Sequence, residues 1–141
     1  DKYELRMEWE LKEDVIMKIT SFNPLIATAH SDSIIKLFEE LGFERRHTKE
    51  GIEIEDKDNV VFRMKDANGF YLDVTQEASI QRDITGIRIN VDDFDEAYNL
   101  LVSHGFEQFM EQGTISTPSS KFVLLKSPSG FVINLVQHIT G

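Results

Sequence analysis

The chain has no cysteine, only three prolines, no long apolar run and a deficit of basic residues. Without cysteine, disulfides, thiolate metal sites and cysteine nucleophiles are excluded, and a reducing cytoplasmic location is expected. No apolar run approaches the roughly 18–20 residues of a membrane-spanning helix, so we expect no membrane association. The 15 basic and 25 acidic residues give a net charge of −10. A field of this sign repels phosphate backbones and argues against nucleic-acid binding.

The remaining composition is that of an ordinary globular domain, with 40% hydrophobic and 28% charged residues in 141. We predict a single domain over residues 17–141, with residues 1–16 as an N-terminal extension. From Tyr3 to Leu11 the extension alternates apolar and charged residues, which favours a strand, although the same residues also form helices readily. Such a strand needs a partner edge, either in this chain or in a neighbouring one.

An internal repeat is the most informative feature of the sequence. Residues 65–76 align with residues 126–137, and Lys, Gly, Phe and Gln fall in the same places. Residues 37–44 align with residues 100–107, and both segments end in Gly-Phe-Glu. Two blocks in the same order at nearly equal spacing predict two copies of one unit, at about 19–80 and 83–138.

Each copy predicts the same order of elements, a strand, a helix and three further strands. In the first copy, Ser31 and Asp32 are predicted to cap the helix, Gly42 to end it, and Asn68-Gly69 to form a hairpin turn. The predicted strands of the first copy are 22–29, 43–48 (or on to 54), 59–65 and 70–76. The second copy has a predicted helix at 95–103 and predicted strands at 86–91, 106–111, 121–126 and 131–137. The predicted fold class is α+β, with two tandem βαβββ modules forming a curved mixed β-sheet and helices on its outer face.

Alternation along these strands sorts the side chains onto two sheet faces. Ile87, Ile89 and Val91 are predicted to face the helices, which sends Arg88 and Asn90 to the other face. The same phase brings further residues to that second face: Asn23, Tyr71, Asp73 and Asn134. Its mixture of polar and aromatic groups suits a cleft for a small molecule, and it equally suits a half-solvated sheet face.

Three phrases of the sequence resemble the vicinal oxygen chelate superfamily, which includes glyoxalases, bleomycin-resistance proteins and extradiol dioxygenases. They are the helix ending Leu41-Gly42-Phe43, the phrase from Pro128 to Asn134, and the Gly86–Asp93 opening of the second module. The resemblance runs from about Ile19 to His138 and implies the paired βαβββ architecture. It leaves the function open, because members of the superfamily differ widely in what they do.

The resemblance also locates the positions at which metal-using members hold their ion. The matching residues here are Asn23, Asp73, Gly86 and Asn134, and only Asp73 keeps a carboxylate. Since a divalent ion needs about three or four good ligands, we expect no metal and no other cofactor. No catalytic residue can be named, and catalysis is a less favoured interpretation than binding without catalysis. A metal-dependent lyase, isomerase or dioxygenase is the alternative.

Without a metal, the resemblance implies a protein that binds or sequesters a small molecule. We predict a ligand-binding cleft in which Arg88 pairs with an acidic or drug-like ligand and Gly86 lets that ligand approach the backbone. The other predicted cleft residues are Asn23, Tyr71, Asp73, Asn90 and Asn134. The alternative for Arg88 is a salt bridge to Asp73. Because domains of this superfamily often pair, a homodimer is expected, and a dimeric interaction module is a second alternative.

Overall fold

The computed structural model describes residues 17–50, 60–109 and 113–139, of which residues 47–50 are described in their backbone alone. The predicted N-terminal strand and the extension of the second strand to residue 54 lie outside these residues. The first module consists of β1 (Ile19–Thr28), α1 (Ser31–Glu40), β2 (Phe43–Glu50), β3 (Val60–Asp66) and β4 (Tyr71–Gln76). The second module consists of β5 (Ile84–Val91), α2 (Phe94–Ser103), β6 (Glu107–Gln108), β7 (Ile115–Ser116), β8 (Ser120–Lys126) and β9 (Val132–His138).

The described strands form one mixed sheet in the order β2-β3-β4-β1-β5-β9-β8-β6, with β7 paired to β8. Within each module the first strand runs parallel to the last, β1 beside β4 and β5 beside β9. The two modules meet where β1 pairs antiparallel with β5. The predicted α+β fold class is therefore confirmed. Of the predicted strand over 106–111, Glu107 and Gln108 are in β6, Phe106 and Phe109 are not in a strand, and residues 110 and 111 lie outside the described residues.

The sequence repeat is also a repeat of strand register. Leu25 lies opposite Asp73 in the first module, and Arg88 lies opposite Asn134 in the second. These are equivalent positions, because Leu25 and Arg88 are 63 residues apart and Asp73 and Asn134 are 61 apart, the spacings of the two sequence blocks. The two modules therefore present the same strand positions to the sheet face that the helices do not cover.

Both helices pack on one face of the sheet, and each forms a hydrophobic core with its own module. Ile35 of α1 is buried against Met64, Leu72 and Val74 of the neighbouring strands. Phe94 and Ala97 of α2 belong to a second cluster that also contains Val91, Phe106, Val123, Leu125, Ile133 and Leu135. The predicted inward phase of the strands is thus correct, and the alternate residues point to the helix-free face.

The start of α1 differs from the prediction that Ser31 and Asp32 cap it with their side chains. The cap position is His30, whose side chain makes no capping bond in the described structure. Instead, the backbone N–H of Ser31 donates to Gln76 Oε1 at 2.9 Å, and Gln76 Nε2 donates to the carbonyl of Ala29 at 2.9 Å. A side chain from β4 therefore accepts the hydrogen bond of an N–H group at the start of the helix.

The second module makes the same arrangement with the repeated glutamine. The N–H of Phe94 donates to Gln137 Oε1 at 2.8 Å, and Gln137 Nε2 donates to the carbonyl of Asp92 at 2.9 Å. Asp93 adds a conventional cap by accepting from the N–H of Glu96. In each module the last strand thereby fixes the turn between the first strand and the helix.

Both helices have ten residues, and no helix of the described segments is long and apolar enough to cross a membrane.

Candidate ligand-binding site

The strand registers gather the predicted cleft residues on the helix-free face of the sheet. Residues that pair directly across strands point to the same face. Asn23, Arg88 and Asn134 thus form one row across β1, β5 and β9. Asp73 lies one strand beyond β1, in the neighbouring row, opposite Leu25. The predicted positions Tyr71 and Asn90 lie two residues away from Asp73 and Arg88, on the same face.

Asp73 is the centre of this arrangement and is completely buried. Its Oδ2 accepts hydrogen bonds from Asn23 Nδ2 at 2.9 Å and from Arg88 Nη1 at 3.0 Å. Arg63 Nη1 lies 3.7 Å from the same oxygen. Arg88 also donates from Nε to Asn90 Oδ1 at 3.2 Å. Of the two interpretations of Arg88, the salt bridge to Asp73 is the contact present, and it compensates the burial of the carboxylate.

Several oxygen atoms around this network have no hydrogen-bond partner. The buried, unpartnered side-chain atoms of the described residues are Ser21 Oγ, Asn23 Oδ1, Asp73 Oδ1 and Asn134 Oδ1. All four belong to the central strands β1, β4 and β9. A buried acceptor without a donor destabilises the fold by about 1–3 kcal/mol, so such groups are rare in native proteins. The register places these atoms on the helix-free face, where groups that donate N–H or O–H hydrogen bonds would satisfy them.

Tyr71 borders the network on the side of the first module. The guanidinium carbon of Arg63 lies 4.3 Å from the centre of its ring, and Lys65 Nζ lies 5.2 Å from it. Both distances are within the range of a cation–π contact. Tyr71 is thereby joined to Asp73 through Arg63, whereas Asn134 makes no hydrogen bond with the other predicted residues.

Gly86 does not open the backbone to a ligand in the way the sequence suggested. A Cβ atom built on Gly86 would lie 2.6 Å from the carbonyl oxygen of Val132 in β9. The missing side chain is therefore used for the close approach of β9 to β5. This role depends on the neighbouring strand, which the sequence around Gly86 does not specify.

The four positions that match metal ligands do not fit a divalent cation. Asp73 is the only carboxylate among them, and the guanidinium of Arg88 already neutralises it at 3.0 Å. Asn23 also binds Asp73, and Gly86 provides no ligand atom. In the described parts of the chain, no three His, Asp or Glu side chains come together as a potential ion site. The donor set is one paired carboxylate with two amide oxygens, which is a poor set for a transition metal.

Sequence reasoning missed three participants of the site, namely Ser21, Arg63 and Lys65. Arg63 lies directly opposite Asp73, and Lys65 lies opposite Tyr71. Alternation within the predicted strand 59–65 places both cations on the same face as Asp73, and this signal could have identified them. Ser21 lay outside the predicted first strand, which begins three residues earlier than expected, at Ile19.

No protein-family model matches this chain, and no curated protein matches it in sequence. Solved structures do match it in fold. Glyoxalase I from Zea mays aligns with a TM-score of 0.62 at 14% identity, over 87% of this chain and 44% of the maize chain. A methylmalonyl-CoA epimerase aligns with a TM-score of 0.58 at 18% identity, over 84% of this chain and 94% of the epimerase.

A third structure is a glyoxalase/bleomycin resistance protein/dioxygenase superfamily member from Vibrio splendidus 12B01. It aligns with a TM-score of 0.56 at 14% identity, over 86% of this chain and 100% of that chain. This chain shares its fold with these glyoxalase and epimerase structures, and the predicted resemblance is confirmed at the level of the fold. The identities are too low to transfer a ligand or a reaction, and the chain spans less than half the length of the maize enzyme.

Proposed function

We propose that this protein binds a small molecule on the helix-free sheet face, without a metal, and sequesters it as bleomycin-resistance-type proteins do. The observation that carries the proposal is the group of four buried, unpartnered oxygens around the Asp73–Arg88 pair. A fold of this size does not need such a group for stability, because paired or apolar residues would serve better. A ligand that donates hydrogen bonds to these oxygens supplies the partners that they lack within the described structure.

Binding and not catalysis is the role that suits the charged groups of this site. Three neighbours contact the carboxylate of Asp73, namely Asn23, Arg63 and Arg88. Asp73 Oδ2 accepts hydrogen bonds from Asn23 and Arg88, which fix the carboxylate in one orientation. Rigid, paired groups are suited to recognising a ligand of fixed shape. We extend the proposal to a cytoplasmic homodimer that contains one such site in each copy.

The test uses protein purified without chelator. Mass spectrometry of the denatured extract identifies co-purified small molecules, and elemental analysis of the same sample measures metal content. We expect less than stoichiometric zinc, nickel, manganese and iron. A transition metal at full occupancy would overturn the proposal and would favour the metal-dependent enzyme.

A thermal-shift screen of small polar metabolites provides the binding test. We expect compounds that stabilise the wild type and stabilise Asn134→Leu less, because the variant removes one unpartnered acceptor. Asn99→Leu is the matched control, since Asn99 is exposed on α2, on the opposite side of the sheet. The proposal fails if no compound raises the melting temperature, or if both variants respond alike. Size-exclusion chromatography with light scattering tests the dimer, and a monomer mass would contradict it.

A further inference from the structure

The site combines two kinds of group that point to one class of ligand. Its central part offers unpartnered hydrogen-bond acceptors, the buried Asn23 Oδ1 and Asp73 Oδ1. Its border with the first module offers cations, since Arg63 and Lys65 both lie against Tyr71. Acceptors require a ligand with hydroxyl or amide donors, whereas cations favour a ligand with an anionic group.

The local charge of the site is opposite to that of the whole protein. The chain carries a net charge of −10. On the helix-free face, however, Arg63, Arg88 and Lys65 accompany Asp73, and Glu44 lies directly opposite Lys65 on β2. Three cations and two carboxylates leave a surplus of one positive charge. Positive charge concentrated at one place on an acidic protein attracts anions locally.

A concave surface lies beside these cations. A depression of about 190 Å³ is lined by Lys65 and Arg46, together with Gly42, Glu44, Asp66 and Ala67. Glu44 partly offsets Arg46, whose Nη1 lies 3.9 Å from the carboxylate. Lys65 has no acidic partner within 4 Å among the described residues. Its ammonium group therefore stands at the border between the depression and the ring of Tyr71.

We propose that the ligand of this site is a hydroxylated organic acid. Its anionic group binds at Lys65 and Arg63. Its hydroxyl groups donate to Asn23 Oδ1 and Asp73 Oδ1, which are buried in the ligand-free protein and become accessible when the side chains that cover them move aside. This inference rests on the proposed binding function and specifies its ligand. The two halves lie close enough for one small molecule, because Arg63 is paired with Asp73 across adjacent strands, about 4.8 Å apart.

The proposal has an anionic half, the charged group of the ligand, and a donor half, its hydroxyl groups. Three probes of equal chain length test these halves separately. Gluconate has both the charge and the hydroxyl groups, hexanoate has only the charge, and sorbitol has only the hydroxyl groups. We expect gluconate, titrated by isothermal calorimetry and thermal shift, to bind more tightly than either of the others. Added NaCl should weaken the binding of gluconate and hexanoate but leave the affinity for sorbitol unchanged, because salt screens partly exposed charges.

Two substitutions locate the anionic group. Lys65→Gln should weaken gluconate binding about fivefold and leave sorbitol unaffected, the size expected for loss of one partly exposed charged contact. Lys36→Gln is the control, since it makes the same charge change at an exposed position on α1. Asn23→Ala should weaken the binding of gluconate and sorbitol but not that of hexanoate. This result would show that the hydroxyl groups of the ligand reach the Oδ1 atom of Asn23.

The outcomes distinguish this inference from the proposed function. Equal binding of gluconate and sorbitol, or an equal effect of the two lysine variants, would overturn the anionic half. Equal binding of gluconate and hexanoate would overturn the donor half, and absence of binding by all three would overturn the ligand class. The proposed function would fail separately, if the metabolite screen found no stabilising compound at all.

Discussion

Arg88 and Asp73 form an ion pair of 3.0 Å although their strands are not neighbours in the sheet. Asp73 lies in β4 of the first module, Arg88 lies in β5 of the second, and β1 runs between these strands. Asn23 of β1 binds the same oxygen of Asp73 at 2.9 Å. The two modules are thus joined by a buried polar contact as well as by the pairing of β1 with β5.

Removing one member of this pair should destabilise the protein strongly. Arg88→Met leaves the carboxylate of Asp73 buried, and Arg63, at 3.7 Å, is then the one cation that contacts it among the described residues. We expect the free energy of unfolding, measured by urea denaturation, to fall by about 3 kcal/mol, near the lower end for a broken buried pair. The double variant Asp73→Asn, Arg88→Met should recover part of this loss, because it removes the uncompensated charge.

An exposed pair provides the control for this prediction. Glu44→Gln breaks the contact of Glu44 with Arg46, whose side chains are 78% and 56% exposed. Its effect should stay within about 0.5 kcal/mol. If Arg88→Met were as mild as Glu44→Gln, the ion pair would not contribute to the stability of the fold.

The repeated glutamines should contribute equally to the two modules. Gln76→Leu removes the acceptor of the Ser31 N–H, and Gln137→Leu removes the acceptor of the Phe94 N–H. We expect each variant to lower the free energy of unfolding by about 1–3 kcal/mol, because each leaves a helix-terminal N–H unsatisfied. Gln81→Leu, at an exposed position, is the control and should change little. Similar values for all three variants would contradict the role of the glutamines.

Replacing an unpartnered acceptor should make the ligand-free protein more stable. Asn134 Oδ1 is buried without a donor. Asn134→Leu should therefore raise the free energy of unfolding by about 1 kcal/mol, since it removes a desolvated polar group. Asn99→Leu on the exposed face of α2 should not reproduce this gain. A loss of stability in Asn134→Leu would show that the oxygen is satisfied in solution, which would weaken the argument for a binding site.

Gly86 should be intolerant of even a methyl group. In Gly86→Ala the new Cβ would lie 2.6 Å from the carbonyl oxygen of Val132, so that β9 must move away from β5. We expect a loss of about 1–3 kcal/mol, the usual range for overpacking. Thr85→Ala, at the adjacent exposed position, should cost less than 1 kcal/mol. Equal effects would mean that the close approach of the strands adapts without strain.

Much of the fold could be predicted because its signals are local. The hairpin at Asn68-Gly69 and the helix end at Gly42 depend on positive φ, and both glycines adopt it, at 91° and 112°. Strand alternation correctly separated Ile87, Ile89 and Val91 from Arg88 and Asn90. The prediction of which residues line the helix-free face followed from the same alternation, although their binding role remains a prediction.

The sequence by itself determined the repeat, the order of elements and the face to which each strand residue points. These properties follow from turn residues and from the period of the apolar positions, which act over a few residues. Only the tertiary structure decided that β1 lies between β4 and β5, and hence that Arg88 reaches Asp73. Only it revealed that Gln76 and Gln137 hold the helix starts, and that β9 fills the space over Gly86. Such contacts join residues far apart in the chain, and no local pattern specifies them.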